Sequence, residues 1–465
     1  MSNALRIGIV GMGTGGLSTA LFASRLGHRV KIFEQTSESE LDAPVGAGLG
    51  LQPIGLTVLR RLGLMDEVVQ RGARIEHLHS LTRSGRAVLD LKYSDFRTGL
   101  YGVGIHRDAL FQALFSAVKR DPRITIETGA AIEGVEPALG PTGDTCARIV
   151  RRGGLLRSDR SNHDDDTPPF DLVVVADGRT SIRSTMPDVA ASQRPYPWGC
   201  FWSILPDRDA TWTSSSSSSD RDTNSDAGGT LFQRLDGSKR MLGILPTGRP
   251  HRENQTPLVS MFWSVPIADD ASIRAKGLAA WKDEVLFHEP RMAGLLSELN
   301  SFDQLITAKY CDTYMPQLFS TAAPIAFVGD CAHATSPTLG QGANLALVDA
   351  WVLGEALRDA MGEGEEGEQV VATATRTALE TYDARRKWRL RFYQANSRLL
   401  TPVFQSNSRV IGALRDTFLG PLCKFPPTRL QMLTVMSGAQ NNGIPWTTIP
   451  EEEFMGCIPE YDLQM

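Results

Sequence analysis

Between residues 5 and 35 the chain reads LRIGIVGMGTGGLSTALFASRLGHRVKIFEQ. An apolar run ends at Gly11, further glycines follow at Gly13 and Gly16, Leu17, Leu21 and Leu26 mark a helical stretch, and a second apolar run ends in Glu34. Strand, glycine turn, helix and strand in that order form a βαβ unit, which requires a parallel sheet covered by helices. Glycines at these places let the backbone approach a pyrophosphate at the helix N-terminus, and a carboxylate ending the second strand accepts a hydrogen bond from a ribose. The pattern predicts a dinucleotide site on Gly11, Gly13, Gly16 and Glu34. It does not separate FAD from NAD, although Glu34 disfavours a 2′-phosphate.

The rest of the chain extends this α/β pattern. PIGLTVLRRLGLMDEVV (53–69) places Leu56, Leu59 and Leu62 on one helical face, 75–103 alternates like strands, and HRDALFQALFSAVKR (106–120) reads as an amphipathic helix before a strand at 123–127. A further strand, FDLVVVADG (170–178), comes after a polar insert read as a surface loop. From 196 to 266 the runs WGCFWSIL, GTLFQRL, RMLGILP and LVSMFWSVP have no helices between them, which predicts a second, antiparallel sheet. The serine-rich TWTSSSSSSDRDTNSDAGG (211–229) reads as a disordered excursion from it. Beyond this sheet come a helix from about Gly342 to Met361, an acidic glycine-rich break at 362–369, and a helical C-terminal stretch beginning ALETYDARRKWRLRFYQ.

At 465 residues the chain has room for two or three packed units, and 42% hydrophobic with 22% charged residues is an ordinary globular balance. A net charge of −5 gives no general attraction to nucleic acid or anionic lipid. The six cysteines lie far apart with no CxxC pair, as expected of reduced thiols in a cytoplasmic enzyme. No signal peptide and no transmembrane segment are expected, since no window is long and apolar enough.

Two further motifs carry chemistry. ADGRTSIR (176–183) ends a strand in Asp177-Gly178, and residues 329–344, GDCAHATSPTLGQGAN, end another in Gly-Asp before a loop with Pro337, Gly340 and Gly342 and then a helix start. Taken with GxGxxG, the order and spacing of these pieces resemble the single-component FAD-dependent aromatic monooxygenases typified by p-hydroxybenzoate hydroxylase and salicylate hydroxylase. The resemblance runs from residue 5 to about 360 and includes GAGLGLQPIG (46–55) and HRDAL (106–110).

That resemblance implies a Rossmann-like FAD-binding domain (1–75, 100–187 and 300–362), an inserted, mainly antiparallel substrate domain (76–99 and 188–299) and a C-terminal helical region (363–465). It implies FAD as cofactor and NADPH or NADH as transient electron donor, with Asp177 and Gly178 where the backbone comes close to both FAD and the nicotinamide phosphates, and O2 and a small aromatic molecule as substrates. The reaction implied is hydroxylation through a C4a-hydroperoxyflavin, with a place in specialised metabolism. Asp330 would bind the ribityl chain, Arg107 would flank the flavin, and Ala47 and Gly48 would leave it room. Pro337 and the stretch Gly340, Gly342, Ala343 and Asn344 would cover the isoalloxazine, the helix start facing its N1 edge. His333 is expected to pack in a tight turn rather than transfer protons.

The remaining candidates rest on less. Arg194 and Tyr196, leading into the second sheet, are candidates to hold a phenolate, against an ordinary exposed arginine at a domain junction. His77 and His79 share a strand without a third metal ligand nearby, so no metal is expected. Trp198, Phe201, Trp202, Phe232, Phe262 and Trp263 are sheet core or the walls of a flat pocket. FWSILP and FWSVPI are near misses to the WxWxIP signature of flavin-dependent halogenases. A flavin reductase or desaturase, a halogenase and a non-catalytic FAD-bound scaffold remain as alternatives. The apolar tail 397–438 is expected to pack as core rather than lie on a membrane.

Overall fold

The computed structural model describes residues 4–41, 47–140, 143–152, 168–213, 229–249, 256–362, 368–441, 444 and 447–450. Most of the serine-rich stretch, the polar insert and the acidic break lie outside these residues.

The first unit is a five-stranded parallel sheet in the spatial order Ile325–Phe327, Leu172–Val175, Arg6–Val10, Arg29–Phe33, Ile124–Glu127. The chain starts in the middle, builds outward through Arg29–Phe33 to Ile124–Glu127, then returns to the other side with Leu172–Val175. Strand order therefore reverses beside the C-terminal end of Arg6–Val10, where parallel sheets open a crevice for ligands. The central strands are almost wholly buried because helices Thr14–Arg25 and Gly342–Ala360 pack together on one side. On the other side, Gly8 has room only for Ile149 and the edge of Phe170. The 53–69 stretch is two helices, Pro53–Arg61 and Met65–Arg71, because Gly63 takes a positive φ of 65° between them.

The second unit is a seven-stranded sheet in the order Ile306–Tyr314, Ser192–Pro206, Leu258–Pro266, Arg240–Gly248, Thr230–Asp236, His77–Thr82, Ala87–Lys92. Every pairing is antiparallel except Thr230–Asp236 with His77–Thr82, where the early and middle parts of the chain meet. The sheet takes in Ile306–Tyr314, so the substrate-domain boundary expected at 299 falls short of its edge strand. Alternation divides the side chains between two faces. Phe201, Phe232, Leu242, Ile244, Met261, Trp263 and Val265 form a core with Trp281 and the helices 270–297, while Leu245 belongs instead to the core of the first unit. The two halogenase-like sequences are thus neighbouring strands of one sheet, Phe201 opposite Trp263 and Trp202 opposite Phe262.

A three-stranded sheet, Gly48–Leu51, Gly102–His106 and Ala73–Ile75, joins the two units. A Cβ on Gly104 would lie 2.0 Å from the Pro246 carbonyl oxygen, and one on Gly48 would lie 2.4 Å from Ser260 Cβ. The C-terminal region begins with the 37-residue helix Glu368–Phe404, packed on Gly342–Ala360 and pinned by the buried Tyr382 hydroxyl, which donates to Phe327 O at 2.9 Å. Gly104→Ala is expected to force the two units apart and to cost about 1–3 kcal/mol, read as a lower urea midpoint with little change in m.

Candidate functional site

The three motifs meet at the strand ends of the parallel sheet. Gly11, at a φ of 100°, lies so close to the Ala176-Asp177 backbone that a Cβ would come 2.5 Å from Ala176 O. A Cβ on Gly16 would come 2.1 Å from Gly11 O, so this glycine sets the close approach of helix and turn. Gly13 precedes helix Thr14–Arg25 and offers no side-chain cap, leaving first-turn N–H groups for a ligand. Glu34 is fixed at its strand end: Oε2 accepts from Met12 N at 2.9 Å, and Oε1 accepts from Thr36 N and Oγ1 at 2.9 and 2.8 Å. A carboxylate has about four lone-pair sites, so one stays available to a sugar hydroxyl.

Asp177 closes the neighbouring turn by accepting from Ile182 N at 2.7 Å through Oδ2. Its Oδ1 is buried and takes no hydrogen bond from any described residue. Burial pushes its carboxyl upward, outweighing the hydrogen bonds and the Arg183 charge that favour the anion. Beyond the turn the chain forms a short 3₁₀ segment, Ile182–Thr185.

The stretch from Gly329 to Asn344 is organised by buried polar groups. Gly329 turns at a φ of 76° and starts the one-turn helix Asp330–His333, with Asp330 exposed at its first position. Asp349, fully buried, holds this turn from beneath: its Oδ2 accepts from Gly329 N at 2.9 Å and from His333 Nε2 at 2.5 Å, and its Oδ1 accepts from Arg386 Nε at 2.7 Å. His333 is therefore a structural donor, as its place in the turn suggested. Burial pushes the Asp349 carboxyl upward, but the charges of His333 and Arg386 and the hydrogen bonds outweigh it, so its pKa lies below the ordinary value.

Pro337, Gly340 and Gly342 are exposed along the loop, and Gly340 takes a left-handed φ of 61°. Helix Gly342–Ala360 has no side-chain cap because Gln341 turns away to donate to the carbonyls of Val435 and Met436. Ala343 is half-buried in its first turn. Asn344 is fully buried and acts as a clamp: its Oδ1 accepts from Gln52 N at 2.8 Å and its Nδ2 donates to Gly50 O and Gly340 O at 3.0 Å each. Ala47 O accepts from Arg107 N at 3.2 Å, which sets the exposed Arg107 side chain beside the start of Gly48–Leu51. Gly48 N donates to Ser260 Oγ at 3.2 Å, and the Trp202 indole donates to the same oxygen.

A Cβ on Gly13, Gly178 or Gly342 would meet no described atom within 4 Å, so all three border open space at the motifs. With the orphaned Asp177 oxygen and the two uncapped helix starts, this donor set suits a dinucleotide.

The other expectations divide. Arg194 is exposed and in register with Asp312, and the cation that reaches Asp312 is Arg398 of the C-terminal helix, Nε to Oδ2 at 2.8 Å. The Tyr196 hydroxyl donates to the same oxygen at 3.0 Å. Burial, then the Asp312 charge, push the Tyr196 phenol up to about 12, so it is tethered as a donor and does not stand free as a base. Sequence reasoning missed Arg398 and its neighbours Ser397 and Thr401, whose hydroxyls meet Ser336 Oγ at 2.9 and 2.6 Å beside Pro337. No local pattern marks them. Among the aromatics, Trp198, Phe201, Phe232 and Trp263 are buried. Trp202 and Phe262 are half-buried, pair at 5.6 Å between ring centroids, and share the sheet face that carries Ser260. His77 bonds to Asp90 at 2.8 Å and stacks on His79.

A parallel sheet with this cradle, joined to a sheet with an aromatic inner face, defines an FAD-dependent monooxygenase. The chain belongs to the FAD binding domain family, whose model matches residues 4–261 and 298–391. It is 24% identical over 446 residues to the 6-methylpretetramide 4-monooxygenase of Streptomyces rimosus, covering 93% of this chain and 92% of that protein. It is 26% identical over 434 residues to the hispidin-3-hydroxylase of Neonothopanus nambi, covering 85% and 88%. The fold superposes on Klebsiella pneumoniae HpxO, solved with FAD and uric acid, with a TM-score of 0.69 at 17% identity, covering 93% of this chain and 97% of that one.

Asp349→Ala is expected to cost about 3–5 kcal/mol, because His333 and Arg386 would lose their buried partner. Since the folded pKa is depressed, the wild-type contribution is complete above the unfolded carboxylate range, about 3.9, and is lost as pH falls through the lower folded value. Urea melts at neutral and acid pH should therefore separate wild type from variant most at neutral pH.

Proposed function

We propose that the protein hydroxylates a flat aromatic small molecule bound between the exposed Pro337 loop and the Trp202–Phe262 face, with NADPH or NADH as electron donor and O2 as co-substrate. The observation that carries the substrate class is the half-buried Trp202–Phe262 pair, on the sheet face joined to Gly48 through Ser260. Gly243 is part of this device: a Cβ there would fall 1.7 Å from the tip of the Phe262 ring, so only glycine lets that ring lie across its strand. The hydroxylase and monooxygenase names of the relatives agree with this reading.

The bound FAD supplies electron transfer and oxygen activation; the chain supplies the rest. Gly11, Gly13 and Gly16 would admit the pyrophosphate, Glu34 the adenosine ribose and Asp330 the ribityl chain. The uncapped N-terminus of Gly342–Ala360, with Ala343 in its first turn, would stabilise negative charge on the reduced ring. Asn344 fixes the height of the Gly340 loop over the Gly48 strand, Pro337 stiffens it, and Arg107 would flank the ring. Tyr196 and Arg398 position this region through Asp312, and Arg194 is assigned no contact with substrate. The thiols of the five described cysteines are all free, which supports a reducing, cytoplasmic setting.

The test is turnover of the FAD-loaded enzyme with NADPH, 18O2 and a panel of phenols, benzoates and fused aromatics. Label in a hydroxylated product is expected; NADPH oxidation with peroxide and no labelled product across the panel would contradict the reading. Trp202→Ala is expected to raise KM for the accepted aromatic by about 2- to 13-fold with FAD occupancy unchanged.

A further inference from the structure

The C-terminal stretch 397–438 packs as core on one side only. Helix Arg409–Lys424 lies against Ala87–Lys92, with Gly412, Arg415 and Cys423 turned inward. A Cβ on Gly412 would meet Ser238 N at 2.8 Å, which fixes the inner side at contact distance. The outer side presents Val410, Leu414, Phe418 and Leu422 at every fourth position, 69, 52, 57 and 42% exposed. Residues four apart are neighbours on a helix surface, so these form one stripe. Phe425 and Leu430, 56 and 44% exposed, lie just past the helix end.

The charges around the stripe narrow what covers it. Its other exposed members, Ala413, Thr417 and Pro421, are uncharged. The one acid of the helix, Asp416, is half-buried and bound to Arg415 at 2.6 Å. Two exposed cations, Arg409 and Lys424, stand at the two ends. An apolar face of this extent marks an interaction site.

A second copy of the chain fits poorly. Two-fold pairing of the stripe in the antiparallel sense brings Arg409 of one copy to Lys424 of the other, and in the parallel sense brings each cation to its own equivalent. Like charges would meet at both ends with no exposed acid on the helix to separate them. An anionic lipid surface satisfies both features, since apolar side chains enter the acyl boundary and cations meet headgroups. The helix has 16 residues, and among the described residues no helix is long and apolar enough to cross a membrane. An in-plane orientation is the one left to it.

We propose that helix Arg409–Lys424 docks in the plane of an anionic lipid surface through Val410, Leu414, Phe418 and Leu422, with Arg409 and Lys424 on the headgroups. The exposed stripe is on the side of the helix away from Leu419, which packs in the same apolar cluster as Phe262.

The experiment is co-sedimentation of the full-length, FAD-loaded protein with vesicles of phosphatidylcholine alone and of phosphatidylcholine with phosphatidylserine. Binding is expected to the mixed vesicles, weaker to the neutral ones and reduced by salt. Leu414→Ser with Phe418→Ser should lower partitioning by about tenfold or more while the melting temperature and flavin content stay at wild-type values, because both side chains are exposed. Arg409→Gln with Lys424→Gln should remove the preference for phosphatidylserine. Absence of vesicle binding overturns the proposal, as does binding that the Leu414 and Phe418 changes leave intact. Concentration-dependent dimerisation lost in that double variant, without vesicle binding, would make the occupant a second copy. Binding seen only after removal of residues 451–465, which carry Glu451, Glu452, Glu453, Glu460 and Asp462, would make it the chain's own acidic tail. Either result overturns the lipid assignment.

Discussion

Much of this molecule depends on one buried carboxylate. From helix Gly342–Ala360, Asp349 ties the Gly329–His333 turn to Arg386 on the C-terminal helix. Desolvating a carboxylate costs several kcal/mol, and here the Arg386 guanidinium, the His333 ring and a backbone N–H offset it. The consequence is positional. The backbone that carries Asp330 is held against the end of its strand, and the same helix that bears Asp349 begins at Gly342, where the loop ends. One helix thus carries both the residue that fixes the Gly329 turn and the start that ends the loop.

The second constraint is the contact between the two sheets, made by backbone at glycine positions. Gly104 against the Pro246 carbonyl and Gly48 against the small Ser260 side chain bring the three-stranded sheet close to the seven-stranded one, because neither glycine puts a side chain of its own between them. This closeness places Trp202 and Ser260 next to the strand that begins after Ala47. The seven-stranded sheet then divides its labour by alternation: Phe201 and Trp263 make its own core, whereas Trp202 and Phe262, one residue away in each strand, stay half-buried. The buried core and the half-buried aromatic face are therefore built from the same two sequences.

How much of this can be read from the sequence depends on the range of the interactions. The βαβ unit, the Asp177 turn and the helix beginning at Gly342 rest on local signals, glycines at turns and apolar residues at a fixed period, and the structure has them where the spacing puts them. The family likeness also lies in those segments. Asn344 was legible as a loop residue, but its clamp on Gln52 and Gly50 spans 292 and 294 residues and leaves no local trace. Arg398, Ser397 and Thr401 were invisible as site neighbours for the same reason, and Arg194 looked better placed because it is near in sequence to the second sheet. Period-2 alternation says that Trp202 and Phe201 face opposite ways. It does not say which face meets the first unit, and that is decided by the parallel pairing of His77–Thr82 with Thr230–Asp236 and by the helices over 270–297.

The central claim is that Asp330, presented by the turn that Asp349 fixes, helps hold an FAD along the strand ends. The measurement that tests it most directly is equilibrium titration of the apoprotein with FAD, tracked by flavin fluorescence, for wild type and Asp330→Ala. Loss of a charge-assisted hydrogen bond predicts affinity weaker by about 10- to 150-fold, with the unfolding midpoint of the apoprotein unchanged because Asp330 is exposed. Equal FAD affinity in the two proteins would contradict the placement of the cofactor on which the account rests.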